Sequence, residues 1–162
     1  MKLLFIITVF ISIFGTNLEL TEIREAYVNA PRNKEVTMKL SDKLSSVSKK
    51  DSPVLVAYKG AVLTIKAKFA KGKNNKKELF KEGAELLEYA VKTSPNNIEI
   101  RTLRLSIQEN TPKFLKYHKN IVQDKQFILD HFKGIASMAE KVFVRSYVLQ
   151  SEGFSDSEKE LF

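Results

Sequence analysis

The sequence predicts an all-α fold of about seven helices packed as antiparallel hairpins. Apolar residues recur at steps of three and four along most of the chain, the spacing that places side chains on one face of a helix. Glycine and proline are sparse, with six and four among 162 residues, which favours helices over a turn-rich β fold. The segments between apolar stripes are short, and helices joined by about two to eight residues usually pack antiparallel.

The first 17 residues have the pattern of a secretory signal peptide. After a short positive start, residues 3–14 are apolar except for Thr8 and Ser12. This stretch is too short for a membrane span, which needs about 20 residues. Small and polar residues follow at positions 15–17, where we expect cleavage; an uncleaved N-terminal anchor is the alternative. The expected product is a single helical domain, residues 18–162, that is periplasmic or secreted and has no transmembrane helix.

The amino-acid composition argues against several classes of function. Cysteine is absent, which removes disulfides, thiol catalysis, cysteine-ligated zinc, iron–sulfur clusters and a lipoprotein anchor. The formal net charge is +8, which either keeps the protein soluble or attracts it to anionic lipid, lipopolysaccharide or acidic polymer. Nucleic acid is not expected as a partner, because a signal peptide directs the chain out of the cytoplasm.

Three helices are predicted in the first half of the mature chain. A short helix over residues 18–29 ends at Ala30-Pro31, and a second covers residues 33–49. Ser52-Pro53 is a preferred helix start, a capping serine followed by proline at the first helical position. The third helix, residues 54–69, is apolar on more than one side, which is typical of a central helix.

A fourth helix is predicted from about residue 76 to residue 93. Its apolar face comprises Phe80, Gly83, Ala84, Leu87, Ala90 and Val91. Asn75 is the expected N-cap. Ser94-Pro95 ends the helix, because proline disfavours the α conformation in the residue before it. Gly83 costs about 1 kcal/mol relative to alanine inside a helix, so we expect another backbone to approach closely there.

The remaining chain is also predicted to be helical. Residues 98–108 partly alternate like a strand, but the alternation changes parity halfway, so a helix fits better. Helices are expected over residues 121–132, ended by a left-handed Gly134, and over residues 135–150. Ser155–Glu158 is a capping-box pattern before a final turn. The apolar face predicted for the 135–150 helix comprises Ile135, Ala139, Val142, Phe143, Tyr147 and Leu149.

The helix–turn–helix around Pro95 resembles the junction between tetratricopeptide repeats. The matching residues are Gly83, Leu87, Ala90, Pro95, Asn96 and Asn97, with Tyr58, Gly60 and Ala61 upstream. The resemblance implies a tetratricopeptide-like array or a compact bundle of helix pairs, with a face that binds another protein. The segments PVLVAYKGA and SPNNIEIRTLRLSIQ also resemble a family of small uncharacterised exported bacterial proteins. That family implies no site residues.

No pattern in the sequence indicates catalysis or a metal site, so we expect no enzymatic activity and no cofactor. His118 and His131 lie 13 residues apart, without the i, i+4 spacing of a helical zinc pair. There is no G-x-S-x-G serine and no glycine-rich phosphate loop. An envelope hydrolase that uses two carboxylates is a remote alternative.

Two groups of polar residues are candidate binding sites. The first, a candidate binding face, comprises Arg101, Arg104, Gln108, Tyr117 and Asn120. Arginine forks suit carboxylates or phosphates, although the two arginines alternatively pair with Glu82 or Glu85 and brace the neighbouring helix. The second, a candidate anion patch, comprises Lys66, Lys68, Lys71, Lys73, Lys76 and Lys77. Its alternative is an ordinary solvated loop.

The sequence therefore predicts an exported, non-enzymatic helical module that binds a protein or peptide in the cell envelope. The alternative is a basic envelope protein that associates with anionic lipid or polymer through the lysines between Lys66 and Lys81. Such an association weakens sharply as salt rises, because exposed charges are screened.

Overall fold

A computed structural model describes residues 20–162, and every regular element in this range is helical. The α-helices of this range are α1 (20–29), α2 (Lys34–Lys43), α3 (Pro53–Phe69), α4 (Lys73–Thr93), α5 (Ile98–Asn110), α6 (Ile121–His131), α7 (Met138–Gln150) and α8 (Asp156–Lys159). Short 3₁₀ turns occupy Ala30–Arg32, Lys113–Leu115 and Phe132–Gly134. The predicted all-α class is confirmed. The predicted signal peptide lies outside the described residues.

Local sequence explains where several helices begin. Asn33, Asn97 and Ser137 each cap the following helix, because the side-chain oxygen accepts a hydrogen bond from a backbone N–H in the first turn. Ser155 and Glu158 form the predicted capping box of α8. These caps satisfy backbone groups that a helix terminus otherwise leaves without partners.

The central helix is α3, which packs against α2, α4 and α5. Ten of its 17 residues are buried. It crosses α4 where two glycines meet: a Cβ placed on Gly83 would lie only 2.5 Å from the Gly60 carbonyl oxygen. The close backbone approach predicted at Gly83 is therefore confirmed.

Successive long helices run antiparallel. The Tyr89 hydroxyl, near the end of α4, donates to the Lys49 carbonyl just before α3 at 2.9 Å. Arg104 of α5 reaches Glu88 of α4 at 2.8 Å across the turn that joins these helices. A hydrophobic cluster that extends along the chain from Ile23 to Phe154 fills the space between the helices. Among residues 20–162 we find no helix with the length and apolarity that crossing a membrane requires.

Three predicted helix boundaries are wrong. The helix α2 stops at Lys43 rather than residue 49, since the Lys59 ammonium donates to carbonyls of the turn that follows α2. The helix α4 starts at Lys73 after Gly72, whose φ is 81°, so Asn75 lies within α4 and is not its cap. Gly134 is not left-handed, because a 3₁₀ turn leads into extended Ile135 instead.

The buried face of α7 also differs from the prediction. The helix begins at Met138, and the residues that it buries are Phe143, Val144 and Val148. Val142 and Leu149, both assigned to the apolar face, are 55% and 41% exposed. The apolar residues of this helix surround much of its circumference, so contact with α5 and α1 decides which of them are covered.

Candidate functional site

The candidate site is an open groove on the outer side of α4, with a cavity volume of about 690 Å³. We call it the α4 groove and define it by its lining residues. These are Lys77, Phe80, Lys81, Ala84, Glu85, Glu88, Tyr89 and Lys92 of α4, with Lys49 and Leu115–Tyr117 opposite. The α4 members recur at steps of three and four, so they form a single stripe along the helix.

The floor of the groove is apolar and aromatic. Phe80 and Tyr117 meet edge to face, with ring centroids 6.0 Å apart. Ala84 is the smallest side chain of the lining, and Leu115 contributes an aliphatic side chain from the opposite wall. Such a concave apolar surface with a few polar groups is typical of a ligand-binding site.

The rim of the groove is positively charged. It carries five lysines and two glutamates. Glu88 is already engaged, because its two oxygens accept hydrogen bonds from Arg104 at 2.8 Å and from the Tyr117 hydroxyl at 2.7 Å. Glu85 lies 3.7 Å from Lys81. The five lysines outnumber the two glutamates, so the net positive charge of the rim favours an anionic ligand.

Local backbone geometry shapes both sides of the groove. Lys116 has a φ of 53°, and no other non-glycine residue of the described range has a positive φ. This left-handed conformation is uncommon for lysine, and it terminates the 3₁₀ turn that supplies Leu115. Near the other side, the Lys49 ammonium lies 5.0 Å from the centre of the Tyr89 ring, within cation–π range.

A buried ion-pair network supports the groove from behind. Asp124 of α6 is fully buried. Its carboxylate accepts hydrogen bonds from Arg101 at 2.8 Å and from Arg104 at 2.7 and 2.8 Å. Burial opposes the charge of Arg104, but hydrogen bonds and the charges of Asp124 and Glu88 outweigh it, so the pKa of this guanidinium is raised. The network ties α4, α5 and α6 together.

Most of the candidate binding face belongs to this interior. Arg101, Arg104 and Gln108 are buried, and the Gln108 side chain accepts from the Asn120 N–H at 3.2 Å. The arginines adopt the bracing arrangement, but with Glu88 and Asp124 rather than with Glu82 or Glu85.

Tyr117 is the member of the candidate face that lines the α4 groove. Burial and the neighbouring Glu88 carboxylate raise the pKa of Tyr117, so it remains a hydrogen-bond donor at neutral pH.

The candidate anion patch divides between two sides of the α3–α4 hairpin. Lys66 donates to the Ser41 hydroxyl at 3.0 Å, and Lys68 donates to the Pro31 carbonyl at 3.1 Å, so both lie against the segment around α2. Lys77 lines the α4 groove. Three further members are exposed around the α3–α4 turn, namely Lys71, Lys73 and Lys76.

A second buried polar cluster joins α1, α3 and α5. The Glu99 carboxylate accepts two hydrogen bonds from Arg24 and one from the Tyr58 hydroxyl, each at 2.7 Å. Glu140 lies nearby, and burial together with the Glu99 charge raises its pKa. Both Glu99 oxygens therefore have partners within the protein, and the cluster links α1, α3 and α5. Arg24 and Glu99 are 75 residues apart, so the sequence gives no local signal for their contact.

The two histidines make local contacts. His118 Nε2 donates to the Thr111 carbonyl and His131 Nδ1 to the Phe127 carbonyl, both at 2.8 Å. Within residues 20–162 no group of three or more histidine, cysteine, aspartate and glutamate side chains has an arrangement that could hold a metal ion.

Sequence reasoning found Lys77 and Tyr117 but did not group them. Lys49, Lys92 and Lys116 were missed, because they come from separate segments that only folding brings to the same groove. The resemblance to tetratricopeptide repeats stays a prediction. No protein-family model, no curated protein and no solved structure matches this chain.

Proposed function

We propose that this protein is an exported, non-enzymatic helical module that binds another protein, and that the α4 groove is its docking site. The observation that carries the proposal is the combination of an aromatic floor with five rim lysines in one concavity. Export is proposed from the signal-peptide pattern of residues 1–17.

The physical properties of the groove suit protein binding. Aromatic and aliphatic side chains at the centre of an interface supply most of the binding energy when a partner excludes water from them. Charged groups at the rim speed association and select partners of opposite charge. The network of Arg101, Arg104 and Asp124 supports the helices behind the groove, and a preorganised surface loses less entropy on binding.

The groove carboxylates do not favour catalysis. Glu88 is held by Arg104 and Tyr117, and Glu85 is exposed beside Lys81. Both carboxylates therefore already have partners within the protein.

Site-specific photo-crosslinking tests this proposal. A photoreactive amino acid is placed at Glu85 in the groove or, as control, at exposed Gln126 of α6. After crosslinking in envelope fractions, we expect a discrete protein adduct from position 85 only. The adduct is identified by mass spectrometry, and binding is then measured by calorimetry with the purified partner. Equal adducts from both positions, or no calorimetric binding, would refute the proposal.

A second candidate function is association with anionic lipid or polymer through the α3–α4 turn. Lys71, Lys73 and Lys76 are exposed there, outside the α4 groove. Sedimentation with phosphatidylglycerol vesicles at low and high salt tests it. Binding that falls steeply with salt and with Lys73→Glu plus Lys76→Glu supports this function, whereas the absence of vesicle binding excludes it.

A further inference from the structure

We infer that the α4 groove accepts a short acidic peptide segment with negative groups at both ends and an apolar side chain between them. This inference rests on the proposed function and specifies the chemistry of the partner. It follows from the length of the groove, from the distribution of its charges and from the position of its smallest lining residue.

The length of the groove sets the length of the segment. Lys77 and Lys92 are the outermost α4 residues of the lining. They lie 15 residues apart, which is about 22 Å at about 1.5 Å per helical residue. An extended peptide covers about 3.3 Å per residue, so about seven residues span the groove.

Four of the five groove lysines lie toward its two ends, and the fifth, Lys116, belongs to the wall opposite α4. One end has Lys77 and Lys81 on successive turns of α4, and the other has Lys92. Lys49 lies over Tyr89, close to that second end. The glutamates of the groove lie between these ends. Glu88 is already held by Arg104 and Tyr117, so Glu85 is the groove carboxylate that repels an acidic group at the centre. A partner therefore gains most from acidic groups near its termini.

The centre of the groove suits an apolar side chain. Ala84 lies one turn from Phe80 and one turn from Glu88, and it is half-buried. Leu115 and Tyr117 form the wall opposite α4. A small residue flanked by large apolar ones leaves room for a partner side chain, and filling that space removes apolar surface from water.

A concave shape favours a peptide over a membrane surface as the occupant. The aromatic floor lies between α4 and the opposite wall. A narrow peptide enters such a groove and uses the lysines and the floor together. Lipid binding instead predicts dependence on the exposed lysines of the α3–α4 turn.

Fluorescence anisotropy on the full chain tests this inference. The probe is a fluorescein-labelled peptide of about seven residues, with glutamates at both ends and leucines between them. The control peptide has lysines in place of the glutamates. We expect saturable binding of the acidic peptide that weakens with salt, and no saturation with the control peptide.

Two double charge-reversal variants distinguish an effect of the groove lysines on binding from an effect of the protein's net charge. Lys77→Glu with Lys92→Glu reverses both ends of the groove and should weaken binding at least about tenfold. Lys34→Glu with Lys133→Glu changes the net charge equally at exposed positions that do not line the groove, and should alter binding less than about twofold. Ala84→Leu fills the central space, so it should weaken binding without changing the salt dependence.

The outcomes distinguish this inference from the proposed function. If both charge-reversed proteins lose affinity equally, or if the lysine peptide also saturates, the acidic-segment assignment is overturned. If phosphatidylglycerol vesicles bind through the groove lysines and the peptide does not, the occupant is a lipid surface and the assignment is again overturned. A discrete adduct at position 85 without peptide binding leaves the docking function standing and refutes only the partner chemistry.

Discussion

Replacing Gly83 with alanine tests how closely α3 and α4 approach. In an exposed helix this change stabilises by about 1 kcal/mol, because alanine has the higher helix propensity. Here the new Cβ would lie 2.5 Å from the Gly60 carbonyl oxygen, 2.7 Å from Thr64 Cγ2 and 2.8 Å from the Thr64 nitrogen. Two of these three atoms belong to the α3 backbone and cannot rotate away.

The size of the effect follows from those distances. Ordinary contact between such atoms is about 3.5 Å, so the two helices must separate by about 1 Å at the crossing. Overpacking costs about 1–3 kcal/mol, and a clash with backbone belongs at the upper end. After subtraction of the propensity gain, we expect Gly83→Ala to lower the free energy of unfolding by about 2 kcal/mol.

Urea denaturation followed by far-UV circular dichroism measures this change. Gly134→Ala is the matched control, because nothing lies within 4 Å of its added Cβ and its φ is not positive. The control should stay within about 0.5 kcal/mol of the wild type. In the double variant with Gly60→Ala, the second substitution should cost less than it does alone, since the helices are already separated. A Gly83→Ala protein as stable as the wild type would refute the reasoning.

Two further predictions concern the buried charges. Asp124→Ala leaves two arginines buried without their main partner, so it should lower the free energy of unfolding by about 3–5 kcal/mol. As a control, Asp130→Ala on the exposed side of α6 should change the free energy of unfolding by less than about 0.5 kcal/mol. Chemical denaturation of both variants checks this. Burial, then the Glu99 charge, raises the pKa of Glu140 above 4.5. The contribution of Glu140 to the free energy of unfolding is therefore favourable below pH 4.5, and it is lost as the pH rises through the folded-state pKa. Glu140→Gln should therefore be more stable than wild type at neutral pH, with a gain that vanishes at low pH; a gain independent of pH would contradict this.

Helix boundaries were predictable wherever local chemistry decides them. Ser94-Pro95 ends α4, Asn97 caps α5, and Ser155 with Glu158 caps α8, since each signal acts over about one turn. Predictions failed where a distant residue intervenes. The end of α2 depends on Lys59 of α3, which local sequence does not reveal.

The site was harder to predict than the fold. The sequence identified Arg101 and Arg104 as a polar pair on one helix face, but their roles depend on Asp124, which lies 23 and 20 residues away. An arginine next to a buried carboxylate is a brace, whereas the same residue next to solvent is available to a ligand. Periodicity alone does not distinguish these two environments.

The sequence by itself determined the helical class, most helix starts and the close approach of another backbone at Gly83, whereas the structure identified that backbone as α3. Helical class and helix starts depend on interactions within about one turn, and the prediction at Gly83 depends on the free-energy cost of glycine inside a helix. Both can be read from neighbouring positions in the sequence. Only the tertiary structure decided which charges are internal and which five lysines share a groove. Burial and charge proximity depend on contacts between helices that are far apart in the chain, and no local pattern encodes those contacts.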